Sequence, residues 1–218
     1  MNTFDVLGFV NLNDYENGIN HIIWDYIKNM KNAEEYDLKY DLIIKYYGNW
    51  SEISKHKYLP ESFIKEFKDY VVWYDISVYQ ILSEEFMNDF KKKLIWYEIS
   101  IYQKLSENFM RKHKCKVDFT NICIHQILSE EFMNDFKNVI NWTCVSKYQI
   151  LSEEFIRKFA DKLDWSYLCQ YQKLSENFIR EFNEKVNWNF IFKYQQLSTK
   201  FIVTYKNKLS IKKIKYDE

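Results

Sequence analysis

The chain has 218 residues, 47% of them hydrophobic and 19% aromatic, with only 3 Gly and 1 Pro. An apolar content this high excludes a disordered chain, and so few Gly and Pro argue against a β-rich fold and for helices joined by short polar turns. Lys+Arg and Asp+Glu balance at 31 each, which makes nucleic acid an unlikely general partner, because phosphate contacts need clustered positive charge.

The opening residues, MNTFDVLGFVNLNDYENG, lack the basic start and apolar segment of a secretory signal. No run approaches the roughly 20 apolar residues of a membrane span. Cys115, Cys123, Cys144 and Cys169 follow no disulfide framework and fit reduced thiols. An intracellular protein without membrane attachment is expected, placed in the cytoplasm of a host cell by the resemblance described below.

Residues 1–23 match nothing else in the chain and contain Gly8 and Gly18. They are expected to form an N-terminal cap, because the first unit of a stacked array would otherwise expose an apolar face. Trp24 opens a degenerate repeat over 24–49, with Ile27, Tyr40, Ile44 and Gly48. From Trp50 the register is strict. Trp50, Trp73, Trp96, Trp142, Trp165 and Trp188 lie on a 23-residue grid, with Phe119 in the remaining place. Seven repeats therefore fill 50–209, and a fixed period in this range marks stacked-repeat architecture. The tail 210–218, basic and then acidic, is expected to fray.

Within a repeat, the residue before the aromatic is Asp118, Asn141, Asp164 or Asn187 in the later copies. These are preferred N-caps, so a helix is expected to begin at the aromatic. Trp73, Ile76 and Gln80 then share one face, and the Ile place recurs as Ile53, Ile99, Ile122, Val145, Leu168 and Ile191. A Leu-Ser pair follows at 82–83, 105–106, 128–129, 151–152 and 174–175. Its Ser suits the N-cap of a second helix. Glu84, Glu107, Glu130, Glu153 and Glu176 come next and complement that helix's dipole. Pro60 takes the Ser place in the first strict repeat, and Pro is tolerated at a helix start. Phe86, Met87, Phe90 and Leu94 supply a buried stripe. Each repeat thus reads as two helices of about 8 and 12 residues, too short to be stable alone. The expected fold class is all-α, a solenoid of stacked short two-helix repeats.

The Gln column (Gln80, Gln103, Gln126, Gln149, Gln172, Gln195) places an amide on the apolar side of a helix. It is expected to satisfy backbone groups at the turn between helices, with a ligand-reading ladder as the alternative. The Tyr column (Tyr79, Tyr102, Tyr148, Tyr171, Tyr194) is expected to be mostly core, its hydroxyls reaching solvent or a backbone partner. Base stacking is the alternative there.

His113, Cys115, Cys123 and His125 read HxC-x7-CxH, in principle a tetrahedral zinc set. The register argues for an eroded repeat instead. His113 holds the place of Phe90, His125 that of Tyr79 and Cys123 that of Ser77. Cys115 lies two residues from His113, a spacing that does not share a helix face. Metal stays the lesser alternative, and no cofactor is expected. The basic run Arg111, Lys112, Lys114, Lys116 reads either as a solvated face or as a contact patch for an acidic partner.

The most informative columns are those in which repeats disagree. Tyr74, Val78 and Ile81 become Tyr97, Ile101 and Lys104, then Thr120, Ile124 and Ile127, then Thr143, Lys147 and Ile150. Farther on they are Ser166, Gln170 and Lys173, then Asn189, Lys193 and Gln196. An apolar ridge in the middle repeats that fades to polar reads as an interaction surface, or as packing between repeats that tolerates variation.

The consensus W-x-x-I-S-x-Y-Q-x-L-S-E-x-F-I-x-x-F, clearest in WSYLCQYQKLSENFIREF at 165–182, resembles short tandem repeats in proteins of mimivirus-like giant viruses and some phages. The resemblance covers residues 50–209 and centres on Gln-x-Leu-Ser-Glu. It implies a viral origin and assigns no activity. The unit length is also similar to that of leucine-rich-variant repeats, in which short helices alternate in a curved stack, a likeness of fold alone.

No GxGxxG, P-loop, HExxH or GxSxG motif occurs, so an enzyme is not expected. The reading is a protein-binding scaffold. Tyr74, Val78, Ile81, Tyr97, Ile101, Ile124, Ile127 and Ile150 form its docking ridge, with Arg111, Lys112 and Lys114 at the edge. Given the viral resemblance, the partner is expected to be a host or defence protein that the array blocks or recruits. Nucleic-acid binding through Tyr and Lys, and self-assembly through the ridge, are the alternatives; monomer and homo-oligomer both remain open.

Overall fold

A computed structural model describes residues 43, 45, 46, 48–56 and 58–209. The expected cap at 1–23, nearly all of the degenerate repeat and the tail at 210–218 lie outside the described residues. The chain divides into two compact units, Met1–Ile95 and Trp96–Glu218, at a boundary between repeats.

Among the described residues of the first unit the helices are α1 (Trp50–Ser54), α2 (Glu61–Glu66), α3 (Trp73–Tyr79) and α4 (Glu84–Asp89). The second unit holds α5 (Trp96–Tyr102), α6 (Glu107–Lys112), α7 (Phe119–His125), α8 (Glu130–Asp135) and α9 (Trp142–Tyr148). It continues with α10 (Glu153–Lys158), α11 (Trp165–Tyr171), α12 (Glu176–Glu181), α13 (Trp188–Tyr194) and α14 (Thr199–Tyr205). No strand occurs among the described residues, and no helix there is long and apolar enough to cross a membrane. Among the described residues each unit is a run of stacked helix pairs in the 23-residue register, an all-α solenoid.

The expected N-caps form. Asp118 accepts the Asn121 N–H at 2.8 Å and Asn141 that of Cys144 at 3.1 Å. Before the second helices, Ser129 Oγ accepts the Phe132 N–H at 3.1 Å, and Ser83, Ser106, Ser152, Ser175 and Ser198 do the same. Pro60 precedes α2 without a side-chain cap.

The second helices are shorter than the sequence pattern suggests, six residues in α4 against about 12 expected from the stripe. The reason is local. Phe90, at φ −101° and ψ 21°, leaves the helix, and its carbonyl accepts Lys93 N–H at 2.8 Å and Leu94 N–H at 3.2 Å in a tight turn. Leu94 still reaches the core through that turn. Trp73 ties two such turns: its Nε1 donates to Lys68 O at 3.0 Å in the turn before it, and its ring stacks on Phe90 of its own repeat with centroids 5.0 Å apart. Trp142, Trp165 and Trp188 bond the carbonyl five residues back in the same way.

First helices pack on first helices, α1 with α3 in one unit and α5, α7, α9, α11 and α13 in series in the other. Ile122, Val145, Leu168 and Ile191 close the seam from one side, and Phe132, Met133, Phe178 and Ile179 from the second helices, all fully buried. Helices of six or seven residues have no independent stability in water. Burial between neighbours supplies it.

Candidate interaction surface

Most recurring polar side chains are consumed in joining one repeat to the next. Gln149 Nε2 donates to Cys123 O and Gln126 O, both at 2.8 Å, while its Oε1 accepts the Leu128 N–H at 2.9 Å. Gln80, Gln126, Gln172 and Gln195 repeat this three-point clamp on the preceding turn. The column is structural, as its register suggests. Ser146 Oγ donates to Trp142 O at 2.7 Å and accepts the Asp164 N–H at 2.9 Å. Cys123 and Cys169 stand in that Ser column and take the backbone N–H of Asn141 and Asn187. Burial pushes both thiols up to about 11, so they are poor nucleophiles at neutral pH.

The Glu column does more than offset a helix dipole. Glu130 Oε1 accepts the Ser152 N–H at 2.6 Å and Oε2 its hydroxyl at 3.1 Å, so each carboxylate secures the cap of the next second helix. Glu61, Glu107, Glu153 and Glu176 act alike. The Ser198 backbone N–H holds the Glu176 carboxyl below its ordinary value. Arg157 forks onto both oxygens of Glu181 at 2.9 and 3.0 Å while its guanidinium lies 5.1 Å over the Phe178 ring, and Arg111 lies 5.0 Å over Phe132 in the same way.

Arg111 therefore pairs with Asp135 and covers Phe132 in the second-helix layer. Lys112 and Lys114 are exposed there and make no ion pair among the described residues. The four candidate zinc ligands are not assembled into a site. His113 is buried against Trp96 and Phe109, with centroids 4.9 and 4.4 Å away, and Cys115 is exposed in the turn beyond α6. Cys123 is buried within α7, and His125 is exposed at its end. Among the described residues no group of three or more His, Cys, Asp or Glu is arranged to hold a metal.

The ridge columns divide by position. In the first unit Tyr74 is exposed, Val78 half-buried and Ile81 86% exposed. In the second, Tyr97 is exposed and Ile101 and Ile124 are half-buried, whereas Ile127 and Ile150 are 94% and 90% exposed. Ile101 and Ile124 sit within helices flanked by neighbours; Ile127 and Ile150 sit in the turn just after, where nothing covers them.

The tyrosines depart from expectation. Tyr102, Tyr148, Tyr171 and Tyr194 are 45–57% exposed, as is Tyr79 in the first unit, so the column is outward-facing rather than core. Lys147 Nζ lies 4.8 Å from the Tyr148 centroid, 5.5 Å from Tyr167 and 5.6 Å from Tyr171. A hydrogen bond with Tyr148 raises the Lys147 ammonium above its ordinary value. Lys193 lies 4.9 Å over Tyr194 in the same way. The sequence offered Tyr and Lys together only as an alternative surface and expected the tyrosines to be mostly core, although on a helical wheel their place lies well away from the buried Trp–Ile–Gln seam.

The fold and surface define a class, the all-α tandem-repeat proteins. No protein-family model matches this chain, and no curated protein or solved structure matches it either.

Proposed function

We propose that this protein is a non-enzymatic scaffold that docks a partner protein on the outward face of its first helices. The observation that carries the reading is the exposure of Ile127 and Ile150, at 94% and 90%, in repeats whose other aliphatic side chains are buried or half-buried except Val139, at 56%. Exposed aliphatic groups beside half-exposed Tyr148 and Tyr171 have the composition of an interface core. The recurring Gln, Ser and Glu side chains are already committed to inter-repeat bonds, which favours a binding role over catalysis. On the likeness of its repeats to viral ones, the partner we infer is a host or defence protein met inside the host cell.

The test compares wild type, the double variant Ile127→Glu/Ile150→Glu and a control, Val139→Glu, at an exposed position in another turn. Circular dichroism first establishes that all three fold. Proteins captured from host lysate are then purified and their affinities measured. A partner that binds wild type and control alike, and the double variant about tenfold or more weakly, supports the reading. Equal binding to all three sinks it. Self-association detected by light scattering and abolished in the double variant assigns the face to a second copy of the chain instead.

A further inference from the structure

Charge in the second unit is segregated between its two helix layers. In the first-helix segments 96–104, 119–127, 142–150, 165–173 and 188–196 the only carboxylate is Glu98, against Lys104, Lys147, Lys173 and Lys193. Carboxylates crowd the second-helix layer, where Glu107, Glu130, Glu153 and Glu176 cap the next repeat and Asp135, Asp161 and Glu181 pair with Arg111, Lys185 and Arg157. The neutral total thus conceals a positive face whose lysines, beyond segment 96–104, have no acidic residue on their own helix segments, the nearest carboxylates of this layer being the N-caps Asp118 and Asp164. The Lys147 and Lys193 ammoniums rest over outward tyrosine rings, which keep them on the surface.

The order along the face matters as much as its sign. Lys104 comes first, then the uncharged aliphatic stretch Ile124 and Ile127, then Lys147 beside Ile150, then Lys173 and Lys193. Resting on the docking function proposed above, we infer that this face binds an extended acidic peptide segment whose aliphatic side chains meet Ile127 and Ile150 and whose carboxylates meet Lys147, Lys173 and Lys193. Neighbouring helices pack about 8–10 Å apart, and an extended chain advances about 3.3 Å per residue. Each repeat therefore reads about two to three residues, and the five repeats about a dozen or slightly more. Carboxylates near lysines set over aromatic rings find charge and apolar surface together. Single-stranded nucleic acid is favoured less, because the two aliphatic groups at 127 and 150 give a phosphate backbone nothing to bind and first-helix segment 119–127 carries no lysine.

The test is selection of a random display library of peptides about a dozen residues long on the immobilised full chain. The strongest clone is then synthesised with a fluorescein label, and its anisotropy is titrated with each variant and compared with that of a labelled oligothymidylate. The expected outcome is enrichment of Asp and Glu beside Leu, Ile or Phe. Affinity should fall about tenfold or more both in Ile127→Glu/Ile150→Glu and in Lys147→Glu/Lys173→Glu. Peptides without acidic bias that still fail on the isoleucine variant overturn the acidic inference and leave the docking function standing. No enrichment, or peptides that bind every variant as they bind wild type, overturns both. Tight oligothymidylate binding with a steep loss in salt replaces both with nucleic-acid recognition.

Discussion

Gln149 accepts the backbone N–H of Leu128 at 2.9 Å across 21 residues of sequence, and the same amide donates backward to Cys123 O and Gln126 O. One side chain thereby satisfies three backbone groups at a buried turn that no helix of its own repeat could serve. Gln149→Ala should cost about 3–5 kcal/mol, because those groups lose their partners in a site with little water. Gln195 makes the same three bonds but is half-buried. Water can replace its amide, so Gln195→Ala should cost only about 1–2 kcal/mol. Urea titrations of the two variants decide it; equal costs would mean that the clamp is not what burial makes expensive.

That contrast also marks what the sequence disclosed. The Trp places gave the period, the Asp and Asn before them gave the helix starts, and the Gln column gave the turn clamp, because each acts at a separation that sequence spacing displays. Glu130 was harder. A carboxylate in a first helical turn already has a local explanation in the dipole, and its second role, on Ser152, runs through a neighbour 22 residues on. The lengths of the second helices were hidden for a related reason. Phe86, Phe90 and Leu94 keep helical spacing, but the Phe90 carbonyl is held by Lys93 and Leu94 in a turn, with the Trp73 ring stacked on Phe90, and that turn leaves no mark on the spacing.

Cys123 and Cys169 hold a Ser place and have thiols raised to about 11 by burial. Cys115 is exposed. Alkylation of the native protein should therefore modify Cys115 quickly and the two buried thiols only on unfolding. The raised values also set a pH dependence. Between the ordinary thiol value of 9.0 and about 11, the unfolded chain releases thiol protons that the folded chain retains. Stability is thus fully present below that window and declines through it, by about 1 kcal/mol per thiol per pH unit. Cys123→Ser/Cys169→Ser should be close to wild type at neutral pH and lose less stability on alkaline titration. A double variant that follows the wild-type curve refutes the assignment.

Arg157 and Glu181 form a bidentate pair between adjacent repeats, yet their side chains are 39% and 45% exposed. Solvent screening should hold their coupling to about 0.5 kcal/mol in a double-mutant cycle, falling further in high salt. Arg157→Ala should nevertheless cost about 1 kcal/mol, since the guanidinium also covers the Phe178 ring at 5.1 Å. A coupling as large as the single-variant cost would show that charge, not coverage of the ring, is the dominant effect.

Ile179 and Ile202 occupy the same place in consecutive repeats, and the first is fully buried while the second is 42% exposed. Because stability in a stacked array is largely a sum of interfaces between neighbours, one side chain should have two values depending on what lies against it. Ile179→Ala should cost about 2–4 kcal/mol, from lost transfer energy and the cavity left behind. Ile202→Ala should cost less than about 1 kcal/mol, because part of its surface already meets water. Both are measured by urea unfolding of the full chain, with the slope compared to check that each variant still unfolds as one transition. If Ile202→Ala proves as costly as Ile179→Ala, something covers Ile202 in solution, and the alanine variant locates it.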